Sequence, residues 1–128
     1  MKVLIVDDDL IVIKSCSRVL QSEGIEISTA QTVGLAESLL IDDNFDLMLT
    51  DIKMPGQDGF EMIKCAKRIR PDMPILMMTG YLTSETISKI RSLGVKNYIA
   101  KPFTPEELIQ SVRASLNNAA QNYGGVFK

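Results

Sequence analysis

Three consecutive acids, Asp7, Asp8 and Asp9, follow directly on the apolar run Val3–Val6, and a fourth, Asp51, follows a run at Asp46–Thr50. Farther along, Thr79 and Gly80 follow Pro74–Met78, and Lys101 with Pro102 follows Asn97–Ala100. If those runs are strands of one sheet, the acids, a hydroxyl and an ammonium converge on a single edge of it. Two carboxylates about 4 Å apart repel by roughly 4 kcal/mol at an effective dielectric of 20. Such a cluster needs cations. Lys101 supplies one charge, and a hard divalent ion with oxygen ligands supplies the rest. Mg²⁺ fits, because it is held by one or two carboxylates, keeps several waters and leaves a vertex for phosphate. Each residue alone has a plainer role, and Asp9 before Leu10 reads as the N-cap of a helix. The set does not reduce to that.

The elements that must position these residues follow from hydropathy. Five short apolar runs (the four above and Ile25–Ala30) alternate with amphipathic stretches at 10–23, 33–42, 60–69, 84–93 and 105–116. Continuous apolar runs suit strands buried on both faces of a parallel sheet. Gly24 and Gly94 stand where helices end, and Thr104-Pro105-Glu106-Glu107 is a helix-start signature. Alternating βα units predict an α/β fold: one doubly wound, five-stranded parallel sheet in flavodoxin-like order 2-1-3-4-5. Its binding site then lies at the carboxyl ends of the first and third strands.

With 128 residues the chain fits one domain, expected over residues 1–117. Residues 118–128 lose the pattern and read as a flexible tail or the start of a truncated linker. The formal charge of −2 gives no footprint for direct nucleic-acid binding. The short basic cluster at 64–70 reads as a solvated helix face. No segment reaches the length of a membrane span. Cys16, among Val12, Val19 and Leu20, reads as a buried apolar residue, and two cysteines without a CxxC suggest a reducing, cytoplasmic setting.

The stretches Val-Asp-Asp-Asp (6–9), Asp-Ile-Lys-Met-Pro-Gly-Gln-Asp-Gly (51–59), Met-Thr-Gly-Tyr (78–81) and Lys-Pro-Phe (101–103) resemble the signature of bacterial response-regulator receiver domains. The resemblance runs from Lys2 to about Leu116. It implies that Asp51 accepts a phosphoryl group from a sensor histidine kinase or a histidine phosphotransfer protein. Asp8 and Asp51, with the backbone carbonyl of Lys53, would bind Mg²⁺ directly, and Asp7 through a water; Mn²⁺ can substitute. Thr79 would hydrogen-bond the phosphoryl group, Lys101 would pair with one of its oxygens, and Tyr98 stands at the switch-aromatic position. The Lys101–Pro102 bond is expected to be cis. The surface of the fourth helix, fifth strand and fifth helix would then change shape and control an output domain or effector, or form a phosphorylation-dependent homodimer. Such a domain signals; it catalyses only its own phosphorylation and slow dephosphorylation. Lys53 and Tyr81, two residues after Asp51 and Thr79, would flank the path of hydrolytic water; neither offers a carboxylate or amide to orient it, and Tyr81 is bulky enough to cover the approach.

Three positions depart from the commonest pattern: Gln57 where an apolar residue is usual, Gly80 where Ala is frequent, and Lys96-Asn97 where an acidic pair is often found. None touches the chemistry. Three rival readings remain. An aspartate-nucleophile phosphohydrolase of the haloacid-dehalogenase type would use Asp7-x-Asp9 but leaves Asp51 and Met54-Pro55-Gly56 unexplained. A flavin-binding module would not set three acids against the cofactor phosphate. A receiver-like adaptor that is never phosphorylated has no need of the clustered charges.

Overall fold

The computed structural model describes residues 1–54, 57–80 and 82–126; for Gln57 and residues 118–126 it describes the backbone alone. Five parallel strands, β1 (Lys2–Val6), β2 (Glu26–Ala30), β3 (Leu47–Asp51), β4 (Ile75–Thr79) and β5 (Asn97–Ala100), form one sheet in the order β2-β1-β3-β4-β5. Helices α1 (Leu10–Ser22), α2 (Val33–Asp42), α3 (Gly59–Ile69), α4 (Ser84–Ser92) and α5 (Pro105–Val126) alternate with them. The expected fold class and strand order are therefore present.

Strand alternation divides the core into two layers. Leu4, Val6, Met48 and Met77 face α2, α3 and α4 through Ala36, Leu40, Met62, Ile63, Ala66 and Ile90. Val3, Ile5, Leu47, Leu49 and Met78 face α1 and α5 through Ile13, Cys16, Leu20, Leu108 and Val112. All residues of β3 and β4 are buried, which is why their sequences are apolar almost without break. Each fully buried Leu, Ile or Met contributes about 1.5–3 kcal/mol by leaving water.

Local chemistry fixes the element ends. Gly24 (φ 79°) and Gly94 (φ 88°) end α1 and α4 in the left-handed region. Asp9 caps α1 by accepting the Ile11 N–H at 2.9 Å. Thr104 and Glu107 form a reciprocal capping box at the start of α5, both bonds 3.1 Å. Asp58 caps α3 through the Phe60 N–H, so that helix begins at Gly59, one residue earlier than its hydropathy suggests.

Four further details differ from the sequence expectation. β3 and β4 each run one residue further, to Asp51 and Thr79, because the backbone ladder continues where the side chains turn polar: Asp51 pairs with Met78 and Thr79 with Ala100. Lys53–Met54 and Gln57–Asp58 form a short antiparallel ribbon inside what reads as a plain loop. α5 runs past Asn117 to Val126, as loss of the apolar pattern is not itself a helix stop and residues 117–123 hold no Pro or Gly. Arg70, in the expected solvated cluster, instead donates to the carbonyls of Leu40 (3.0 Å) and Asp43 (3.1 Å) at the end of α2. Free carbonyls at a helix end attract such a cation.

Both cysteines are free and buried. Burial pushes the Cys16 thiol up to about 11; the charge of Asp7 adds to this and Lys101 opposes it. At pH 8 only about one part in a thousand of such a thiol is thiolate, the form that reacts. Native protein should therefore take up iodoacetamide at Cys16 more than about a hundredfold slower than urea-unfolded protein. Comparable rates in a peptide-resolved mass measurement would show that Cys16 is not sealed between α1 and the sheet.

Candidate functional site

The same alternation that builds the core also aims the site. Val3 and Ile5, Leu47 and Leu49, and Ile99 line the layer beneath α1 and α5. Two residues further along these rows come Asp7, Asp51 and Lys101. Three apolar columns thus end in three charged groups on one face of the sheet edge. The Lys101 Nζ lies 2.7 Å from Asp51 Oδ2 and 3.0 Å from Asp7 Oδ2. Burial alone would lower the pKa of this ammonium, but its hydrogen bonds to Asp51 and then Asp7 outweigh that and raise it, so Lys101 stays charged.

The acids differ in access. The Asp7 side chain is 1% exposed, and its Oδ1 accepts the Asp9 N–H at 2.9 Å while Oδ2 faces Lys101. The Asp51 side chain is 12% exposed, with Oδ1 accepting the Lys53 N–H at 3.2 Å. Asp8 stands exposed at the rim, and Asp9 is occupied as the α1 cap. Thr79 is buried at the end of β4, and its carbonyl accepts the Lys101 N–H at 2.9 Å. The Lys101–Pro102 bond is cis.

Tyr98 is half-buried against the layer that contains Ile90. It pairs with Met77, and Thr79 with Ala100, so alternation sets Thr79 and Tyr98 on the same face, the one α4 covers. Lys53 is exposed on the ribbon. Tyr81 lies outside the described residues, as do Pro55 and Gly56.

One residue was not singled out from sequence. A Cβ on Gly59 would overlap the carbonyl oxygen of Ile52, which the Gly59 N–H meets at 3.0 Å. Only glycine permits that backbone approach, which folds the loop after Asp51 back onto the strand end. An Asp-Gly pair before an amphipathic stretch was the available signal.

Among the described residues, no three Asp, Glu, His or Cys side chains form a ready cage for a metal ion. Asp7 and Asp51 each turn an oxygen toward Lys101 instead. The donor chemistry still suits a hard cation. Two carboxylates face one ammonium with Asp8 exposed at the rim beside them, all offered ligands are oxygens, and Mg²⁺ asks for only one or two carboxylates. Among the described residues, no helix is long and apolar enough to cross a membrane.

Known proteins are similar to this chain in sequence and fold. A family model described as the response regulator receiver domain matches residues 3–113. The response regulator SaeR of Staphylococcus aureus (strain USA300) is 34% identical over 106 residues, covering 83% of this chain and 46% of SaeR. The chain thus spans about half the length of the curated relatives it matches. Among solved structures, a CheY-like receiver domain protein from Methanospirillum hungatei JF-1 superposes with a TM-score of 0.88 at 33% identity, over 94% of this chain and 97% of the other. Chemotaxis protein CheY4 of Vibrio cholerae gives 0.86 at 32% identity, over 90% and 98%. With a charged triad at the edge of a 2-1-3-4-5 sheet, and with these matches, the chain belongs to the response regulator receiver domain family, a family of signalling domains.

Proposed function

We propose that this receiver domain takes a phosphoryl group onto Asp51 from a phosphohistidine of a sensor histidine kinase or histidine phosphotransfer protein. The observation that carries the reading is Lys101, 2.7 Å from the one carboxylate that is both paired to it and open to the surface. An Asp51 oxygen attacks phosphorus, the P–N bond breaks, and the histidine leaves with the electron pair. The transition state is loose, so the protein contributes positioning and charge stabilisation. Lys101 and the Thr79 hydroxyl offset charge on the equatorial oxygens. Mg²⁺ would be held by Asp8, Asp51 and the Lys53 carbonyl, with Asp7 acting through a water; when bound, it supplies the remaining positive charge for the transferring group. The phosphohydrolase reading is disfavoured by Asp9, whose carboxylate is committed to capping α1.

The donor would dock at the start of α1. Leu10 and Ile11, at the start of α1, are 47% and 76% exposed. A cavity of about 350 Å³ lined by Ile11, Val12, Cys16, Lys101, Pro102 and Phe103 opens beside them, next to the acceptor. Exposed apolar side chains around a cavity suit the apolar face of a partner helix.

The aspartyl phosphate adds nearly two negative charges at one point. Thr79 then turns toward it, Tyr98 fills the space released, and the surface of α4, β5 and α5 shifts to a second packing that an output domain or a second copy reads.

Incubation with a small phosphodonor and Mg²⁺ should add the mass of one phosphate, and Asp51→Asn should abolish the addition; undiminished labelling of that variant sinks the assignment. In calorimetric Mg²⁺ titrations, Asp8→Asn should weaken binding at least about tenfold while Asp9→Asn leaves it nearly intact. Equal losses would place the metal on a different pair of acids. The phosphorylated form should be long-lived, since neither Lys53 nor Tyr81 offers a carboxylate or amide to orient water and Tyr81 is bulky. First-order decay should quicken in the Lys53→Asn/Tyr81→Glu double variant, and an unchanged rate would remove both side chains from that role.

A further inference from the structure

Among the helices, α4 has the weakest hold on the sheet. It buries a single side chain, Ile90, where α1 buries Ile13, Cys16 and Leu20, and α3 buries five residues. A helix so lightly anchored needs other ties to keep one position.

One such tie is Lys89. Its ammonium lies 4.3 Å from the centroid of the Phe60 ring, well within cation–π range. Glu85 stands four residues earlier, where helix ion pairs usually form, yet among the described residues Lys89 makes no ion pair and reaches across to α3 instead. Phe60 is no ordinary surface residue. It follows Gly59, whose backbone is pressed against Ile52, the residue after Asp51. Fixed contacts therefore run from Asp51 through Ile52, Gly59 and Phe60 to Lys89 and α4.

We infer that Lys89 and Phe60 form a latch that holds α4 in its unphosphorylated position and couples it to the acceptor loop. A contact made in one packing and lost in the other resists the change, and its removal shifts the population toward the second packing. The coupling to phosphorylation rests on the reading of Asp51 given above; the latch itself does not.

The test begins with amide hydrogen exchange of the unphosphorylated protein. In Phe60→Leu and in Lys89→Met, the α4 amides should exchange about two- to fivefold faster, the range a partly exposed cation–π contact supports. The double variant should be no faster than either single one, α1 and α5 should keep wild-type rates, and Lys89→Arg and Phe60→Tyr should behave as wild type. Wild-type α4 rates in both single variants, equal acceleration in every helix, or multiplied effects in the double variant would each overturn the latch. In a second measurement, a small phosphodonor with Mg²⁺ should label the two single variants about two- to fivefold faster than wild type. Unchanged rates at Asp51 would overturn the coupling. Label that persists in Asp51→Asn would instead overturn the acceptor assignment, leaving the exchange result to stand by itself.

Discussion

One ammonium between two carboxylates organises the reactive edge of this domain. Lys101 contacts Asp51 at 2.7 Å and Asp7 at 3.0 Å, and without it two acids from neighbouring strands would face each other with no cation between them. The arrangement contributes little as a source of stability. Taking such charges out of water costs much of what their attraction returns, and apolar groups of similar shape often do as well. What the triad provides is a held, partly dehydrated carboxylate beside a fixed positive charge. It depends on register: the three groups converge because each ends a row of one face, and a slip of one residue would turn any of them to the other side.

Backbone contacts tie the described residues on either side of the turn that follows the acceptor. Gly59 meets Ile52 backbone to backbone, Asp58 caps α3, and Lys53 pairs with Asp58 across the short ribbon. Gly80, after β4, is a different kind of glycine. Its φ is not positive, and nothing lies within 4 Å of where a Cβ would stand, so space does not demand glycine there. The two positions show why one glycine, in the acceptor stretch, is a requirement of packing and the other, after β4, a choice between small residues.

Much of this was legible in the sequence, for a definable reason. Apolar runs, glycine stops, the Asp9 and Thr104 caps and the charged residues after each strand are all local patterns, and local patterns survive in one dimension. The strand ends were misjudged by one residue because hydropathy reports side chains, whereas Asp51 and Thr79 remain in the backbone ladder. The end of α5 was missed because a loss of apolar pattern is not a helix stop. Arg70 on the carbonyls ending α2, and Lys89 on Phe60, join residues far apart in the chain, and nothing in their immediate neighbours announces the pairing. The shared parity of Asp7, Asp51 and Lys101 was available in principle, but only once the register of the strands is known.

The division of the core into two layers also separates the charged triad from Thr79 and Tyr98. Asp7, Asp51 and Lys101 end the rows that face α1 and α5, while Thr79 and Tyr98 belong to the face covered by α4. In the proposed reaction, a charge added on one side must therefore be felt on the other. The backbone already joins them at one point, where the Lys101 N–H donates to the Thr79 carbonyl across the last rung of β4 and β5. Movement of Thr79 toward a phosphoryl group would draw on the same strand end that leads into α4, the helix that buries only Ile90. A densely packed layer cannot yield by small amounts, so the change must go to the element with least to lose. On that reading the acceptor would sit on the face beneath α1 and α5, and α4, which buries only Ile90, would carry the change.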